Sequence, residues 1–115
     1  MPGQHLNLVG SAIPTAAEID HEAVARSRFF VDYRPAALAA AGELLGAMAA
    51  AVVGEQHILA EIGEVAQDPA IGRLTPQDIT CYKSLGIAAQ DLAAARAIWQ
   101  AAQAEGAGIA LDLLA

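Results

Sequence analysis

The spacing of apolar residues along this chain predicts short strands that alternate with helices. The run His5–Gly10 is short, largely apolar and ended by glycine, which is typical of a buried strand whose tip needs an unhindered backbone. Thr15 and Glu18 have capping-box spacing and predict a helix that continues to about Ser27. Phe29–Val31 predicts a second buried strand. This order indicates a parallel crossover, so we expect the first strand to be central and parallel to the second.

The middle of the chain is predicted to be helical and then irregular. Pro35 is typical of a first helical position, and Gly54 can end the long alanine-rich helix that follows it. Ile58, Ile62 and Val65 recur at helical spacing and predict a further helix of a few turns. Proline and glycine in residues 67–78 indicate a loop.

The last part of the chain predicts one more strand and a long helix. Ile79–Lys83 alternates with period two, and Ser84–Gly86 is its exit turn. The helix from Ile87 to about Glu105 is stopped by Gly106 and Gly108. Its apolar stripe, which we expect to be buried against a partner surface, consists of Ala88, Leu92, Ala95, Trp99 and Ala102. The fold class is therefore α/β, but three short strands make an incomplete sheet.

Composition limits the classes of function. With 115 residues the chain forms one domain at most, and its net charge of -7 opposes nucleic acid and anionic membrane surfaces as partners. Cys81 is the single cysteine, so no internal disulfide can form and we expect a cytoplasmic protein. Residues are 56% hydrophobic but only 4% aromatic, which predicts apolar surface hidden in a partner. The longest apolar run, residues 44–53, is shorter than the roughly 20 residues of a membrane span.

Candidate chemistry lies mainly at strand ends. Gly10 and Ser11 follow a strand where open α/β sheets bind ligands, although an ordinary tight turn has the same pattern. Ser11 is not in a Gly-x-Ser-x-Gly motif, so a hydrolase triad has no local support. Lys83 and Ser84 could place an ammonium and a hydroxyl near a ligand, or could belong to a turn with an exposed lysine.

Metal binding and thiol chemistry have weaker signals. His57, Glu61 and Glu64 would share one helical face with metal-ligand side chains, but a solvated face is the usual fate of such residues and we expect no metal site. Cys81 in mid-strand is typical of a small buried hydrophobe rather than a nucleophile.

Five segments, in order and at matching spacing, resemble the C-terminal portion of the ornithine cyclodeaminase and mu-crystallin family. They are residues 2–11 (PGQHLNLVGS), 18–20 (EID), 30–32 (FVD), 61–64 (EIGE) and 82–88 (YKSLGIA). The resemblance implies a partial Rossmann-like parallel sheet (β-α-β), then helices and a strand and helix that return to another domain. Residues 1–66 would complete an NAD(P)-binding domain, and residues 67–115 would return to an N-terminal dimerisation domain.

The resemblance also implies site residues. Val9, Gly10, Ser11 and Ala12 would form the loop beneath the nicotinamide of NAD or NADP, and Ser84 would reach the cofactor from the exit turn. Ile19 and Leu85 would border a small amino-acid or imino-acid substrate. The resemblance implies a parent that is an NAD(P)-dependent imino-acid reductase, amino-acid dehydrogenase or cyclodeaminase. The cyclodeaminase branch has a catalytic aspartate at the position of Ala12, and since alanine cannot relay a proton, reduction or dehydrogenation is favoured.

Two other features of a complete enzyme are absent from the sequence. There is no Gly-x-Gly-x-x-Gly fingerprint for the pyrophosphate, and the family's substrate-binding cationic residues belong to the N-terminal domain. We therefore expect no catalytic residue here, weak or absent cofactor binding, and an inactive fragment that forms a dimer or complements an N-terminal half. The alternative is a non-catalytic α/β interaction module that oligomerises through its C-terminal apolar helix.

Overall fold

The computed structural model describes residues 1–111 and is built on a four-stranded parallel sheet with strand order β1-β4-β2-β3. The strands are β1 His5–Leu8, β2 Ser27–Val31, β3 Ile58–Glu61 and β4 Ile79–Lys83. The helices are α1 His21–Arg26, α2 Arg34–Ala40, α3 Gly42–Ala49, α4 Ile62–Gln67 and α5 Ala88–Glu105, with 3₁₀ turns at Glu55–His57 and Pro69–Ile71. The predicted α/β class with a parallel sheet is confirmed.

The first strand is parallel to the second, as predicted, but the two are not neighbours. β4 lies between them, and Cys81 pairs with Leu6 on one side and with Phe29 on the other. The prediction that β1 is central is therefore wrong for the described residues, in which β1 is an edge strand. A crossover pattern fixes the direction of two strands, but a later strand can insert between them.

Helix α1 begins six residues after the predicted start at Thr15. Its N-cap is Asp20, whose carboxylate accepts a hydrogen bond from the Ala23 amide at 2.8 Å. The predicted capping box of Thr15 and Glu18 is wrong because the Glu18 carboxylate binds elsewhere, as described below.

The long alanine-rich helix is divided in two. Ala41 has an extended ψ of 92°, and α3 starts at the next residue, Gly42. A Cβ at Gly42 would lie 2.0 Å from the carbonyl oxygen of Ala16, so the segment before α1 packs directly on the glycine backbone. This close approach requires glycine, and it occurs at the break between α2 and α3 that the run of alanines did not predict.

A strand occupies part of the region predicted as one helix. Ile58 and Ala60 of β3 are buried against β2 while Leu59 between them is exposed, which is strand alternation. His57, Glu61 and Glu64 therefore do not share a helical face. His57 bonds the Val24 carbonyl at 2.7 Å, and the Glu61 amide donates to Glu64 at 2.7 Å at the start of α4.

The core lies on one face of the sheet, under α1, α2 and α3. Its buried apolar residues are Leu8, Val24, Phe29, Val31, Ala37, Ala41, Leu44, Ala47, Ile58 and Cys81. Burial, followed by the nearby Glu43 charge, raises the pKa of the Cys81 thiol to about 12. The thiol is thus an unreactive part of the core.

Helix α5 projects away from this core. It ends as predicted at Gly106, whose φ of 65° is left-handed, but its apolar stripe does not pack on the described residues: Leu92 is 71% and Trp99 60% exposed. The radius of gyration, 17.9 Å, exceeds the about 13 Å expected of a compact domain this long. None of the described helices has the length and apolar character needed to cross a bilayer.

Candidate functional site

The carboxyl ends of the strands bring the candidate residues to one edge of the sheet, here called the carboxyl edge. The Ser84 amide donates to the Leu8 carbonyl at 2.9 Å, and the Asp32 amide donates to the Lys83 carbonyl at 3.2 Å. The loop after β1, the turn after β4 and the end of β2 are therefore adjacent. This is where parallel α/β sheets bind ligands.

Asp32 holds the turn after β4. Its Oδ2 accepts hydrogen bonds from the Ser84 hydroxyl at 3.1 Å and from the Leu85 and Gly86 amides, both at 2.7 Å. Its Oδ1 accepts from the Tyr33 amide at 2.8 Å, and the side chain is buried. Sequence reasoning missed this role, although an acidic residue directly after a buried strand is a detectable signal.

The Lys83 side chain extends from β4 into the protein interior and is completely buried. Its Nζ donates to the Ser11 carbonyl at 2.6 Å, the Ser11 hydroxyl at 3.0 Å and Glu18 Oε1 at 2.8 Å. The interpretation of Lys83 as an exposed lysine in a turn is therefore wrong, and a position near a ligand stays a prediction. The ammonium ties the loop after β1 to the middle of the sheet.

Glu18 binds two backbone amides of the loop after β1. Its carboxylate accepts from the Gly10 amide at 2.9 Å and from the Ser11 amide at 3.2 Å. The hydrogen bond from Lys83 is the main reason that the pKa of Glu18 is lowered to about 2, and these two amides lower it further. The amides of Gly10 and Ser11 are consequently engaged within the protein.

Glu43, on α3, is the third charged residue of a group that also contains Lys83 and Glu18 and is here called the charge cluster. It is fully buried, and its Oε1 lies 3.1 Å from Lys83 Nζ. Lys83 Nζ donates to the Ser11 carbonyl, the Ser11 hydroxyl and Glu18 Oε1, and neither Glu43 oxygen has a hydrogen-bond partner among the described residues. The contact between Glu43 and Lys83 is therefore an ion pair without hydrogen-bond geometry. The sequence signal was a lone acidic residue within an apolar helical stretch.

The predicted site residues differ in their exposure. Val9, at 65% exposed, and Ala12 face outward, whereas Ser11 is buried in the charge cluster and the Ser84 hydroxyl is bound to Asp32. Leu85 packs against the core next to the carboxyl edge. Ile19 lines a separate cavity of about 380 Å³ with neighbours that include Leu6, Asp20 and Ile79.

Acid is expected to release the loop after β1. Because the folded pKa of Glu18, about 2, is below its ordinary value of 4.5, its contribution to stability is present above pH 4.5 and is lost as the pH falls toward 2. Urea unfolding midpoints measured across this interval should fall more steeply for the natural sequence than for Glu18→Gln. Asp78, with a pKa lowered chiefly by its Thr75 hydrogen bond, acts in the same direction, so Asp78→Asn is the comparison variant. Coincident profiles for the natural sequence and Glu18→Gln would contradict this assignment.

Comparison of the sequence with known proteins gives a consistent result. The family model described as the ornithine cyclodeaminase/mu-crystallin family matches residues 1–106. Delta(1)-pyrroline-2-carboxylate reductase of Colwellia psychrerythraea is 34% identical over 96 residues, which are 84% of this chain and 30% of that protein. The resemblance inferred from the sequence segments is confirmed.

Solved structures show the same similarity. Delta(1)-pyrroline-2-carboxylate reductase of Thermococcus litoralis, in complex with NADH and L-proline, has a TM-score of 0.86 at 33% identity, covering 96% of this chain and 34% of that one. An archaeal alanine dehydrogenase dimer with bound NAD has a TM-score of 0.80 at 30% identity, covering 98% and 35%. The chain spans about a third of these proteins.

Proposed function

Because this chain belongs to the ornithine cyclodeaminase/mu-crystallin family, we propose that it supplies the nicotinamide side of an NAD(P)-dependent imino-acid reductase or amino-acid dehydrogenase. The observation that carries the proposal is the carboxyl edge, where the loop after β1 lies beside the turn that Asp32 holds after β4. By itself the chain is proposed to be an inactive fragment.

The residues at the carboxyl edge fit the nicotinamide end of the cofactor. Val9 and Ala12 are small and outward-facing, and the Gly10 backbone is covered on its inner side, where a Cβ would lie 2.9 Å from Glu18 Oε2. Ser84 borders the same edge from β4. A bound NAD(P)H supplies a hydride, and these residues would orient its ring and shield one face from water.

Residues 1–111 contain no comparable set of residues for binding the pyrophosphate of the cofactor. Helix α1 starts with Asp20 as N-cap and Glu22 in its first turn, and these carboxylates oppose a phosphate there. We therefore expect weak or absent binding of NAD or NADP by the chain alone.

The substrate is proposed to be a small amino or imino acid. Leu85 would border it from the turn after β4. The resemblance also implies Ile19 as a border, although Ile19 lines the separate cavity beside Leu6 and Ile79. Ala12 offers no proton acceptor, so reduction or dehydrogenation, rather than cyclodeamination, suits the loop. We assign no catalytic residue to this chain, and the free thiol of Cys81 suits a cytoplasmic location.

The proposed partner is a polypeptide that corresponds to the N-terminal part of the relatives, or a second copy of this chain. The outer edge of β1 and the apolar stripe of α5 are both unpaired within residues 1–111. Residues 1–66 would belong to the cofactor domain, to which we add β4 because of its place in the sheet, and the remainder to residue 115 would return to a dimerisation domain. The exposed stripe equally suits the second candidate, an interaction module that oligomerises through α5.

A chimera separates the two candidates. This chain would replace the matching third of the Thermococcus litoralis reductase, and NADH binding would be followed by nicotinamide fluorescence. We expect binding and imine reduction in the chimera, and Val9→Arg to weaken NADH binding by about tenfold or more, roughly 1.4 kcal/mol. Val52→Arg, an equally polar change at an exposed position outside the carboxyl edge, should leave binding unchanged.

Two outcomes would count against the fragment proposal. Micromolar NADH binding by the isolated chain would show that no second half is needed. A stable, cofactor-free oligomer of the isolated chain, together with an inert chimera, would favour the interaction module.

A further inference from the structure

We propose that Lys83 is a positioning residue for the loop Val9–Ala12: its buried ammonium, balanced by Glu18 and Glu43, holds the loop so that Val9 and Ala12 face outward. The inference rests on the proposed function and deepens it, since it assigns the shape of the nicotinamide-facing loop to a buried side chain of β4, outside the loop itself. It does not require that the chain alone bind a cofactor.

The anchor is rigid because Lys83 belongs to β4, which has a neighbouring strand on each side. Leu8 of β1 and Val31 of β2 both pair with it. From this fixed backbone the Nζ reaches Ser11 twice, at its carbonyl and its hydroxyl. The position of Ser11 is thus determined by β4 rather than by the loop's own sequence.

The second contact passes through Glu18. Lys83 Nζ holds Glu18 Oε1 at 2.8 Å, and the same carboxylate receives the Gly10 and Ser11 amides. With both amides turned inward, the loop exposes its Val9 and Ala12 side chains at the carboxyl edge. A ligand at this loop would contact side chains, not free amides.

Glu43 explains why the ammonium stays inside. Its carboxylate is 0% exposed and cannot move to water, whereas the Glu18 side chain remains 27% exposed. Without the lysine charge, two carboxylates would share one small space, and only Glu18 has a route to solvent. If Glu18 moved outward, its carboxylate would leave the Gly10 and Ser11 amides. We therefore expect that loss of Lys83 disorders the loop after β1 while the sheet stays folded.

Amide hydrogen exchange on the 115-residue chain tests this order of events. Lys83→Met should speed exchange at Gly10 and Ser11 by about tenfold or more, while amides of Phe29–Val31 in β2 change by less than about twofold. Arg26→Met removes an exposed cation whose ion pair among residues 1–111 is with Glu22 on its own helix, and it should leave both sets unchanged. Equal acceleration of both sets in Lys83→Met would indicate a merely structural role and overturn the proposal.

A double variant covers the case in which Lys83→Met does not fold. Lys83→Met with Glu43→Leu removes the buried pair together and replaces it with apolar side chains, a change that proteins often tolerate. Fast exchange at Gly10 and Ser11 in a folded double variant supports the proposal. Natural protection at these amides, or failure of the double variant to fold, overturns it. A chimera that binds no NADH would refute the proposed function while leaving this exchange result intact.

Discussion

Asp32→Ala is expected to destabilise the chain by about 3 kcal/mol, the larger of the polar effects that we predict. One buried carboxylate accepts hydrogen bonds from the Tyr33, Leu85 and Gly86 amides and from the Ser84 hydroxyl. Bonds to a charged acceptor are stronger than neutral ones, and alanine would leave partly buried donors without a partner. Urea unfolding followed by circular dichroism would measure the change.

Two comparison variants show whether the acceptor itself is responsible. Asp32→Asn keeps the shape but has one oxygen, so it should cost less than alanine, about 1–2 kcal/mol. Asp91→Ala removes an exposed carboxylate from the first turn of α5 and should stay within about 0.5 kcal/mol of the natural chain. A loss below about 1 kcal/mol for Asp32→Ala would show that the turn after β4 does not depend on this carboxylate.

Gly42→Ala is expected to destabilise the chain by about 3 kcal/mol through steric overlap. The new Cβ would lie 2.0 Å from the Ala16 carbonyl oxygen and 2.9 Å from that of Pro14, and both are backbone atoms that cannot swing aside. Either α3 or the segment before α1 must shift, and Glu43 beside the substitution would move relative to Lys83. Urea unfolding midpoints give the size of the effect.

The matched control is Gly63→Ala in α4. Among the described residues, no atom outside the glycine's chain neighbours and its own helix backbone lies within 4 Å of the added Cβ. Alanine has less conformational freedom than glycine in the unfolded chain, so we expect the free energy of unfolding to rise by about 0.4–1 kcal/mol. Opposite signs for the two glycines would support the packing explanation. A similar loss at both would mean that the close approach at Gly42 is not what destabilises the chain.

The spacing of apolar residues correctly predicted those helices and strands whose structure depends little on residues far away in the sequence. β2, β4 and α5 have strand or helix spacing of their own, and the structure contains each near the predicted place. The parallel direction of β1 followed from the crossover, and the sequence segments around Gly10 and Ser84 identified the family that the comparisons confirm. Their roles at a cofactor remain predictions.

The errors arise where distant residues decide the structure. The helix break at Gly42 depends on Ala16, far away in sequence, and Glu18 leaves its predicted capping role for Lys83, 65 residues later. β3 is too short for its alternation to outweigh the helical spacing of Ile58, Ile62 and Val65. The positions of Asp32 after a buried strand and of Glu43 in an apolar helix were detectable signals, but the partners of these two residues were not predictable, because the strand order that brings those partners close does not follow from sequence spacing.

The projecting helix α5 has a consequence for how the two proposed halves would meet. Its 18 residues would form a rod about 27 Å long, and alanine favours helix formation even before any neighbour arrives. Isolated helices of this length are only marginally stable in water, so the rod should fray and re-form until a groove captures it. A recognition element that is already partly ordered loses less entropy on docking, which lets a narrow apolar stripe bind more tightly than its area suggests.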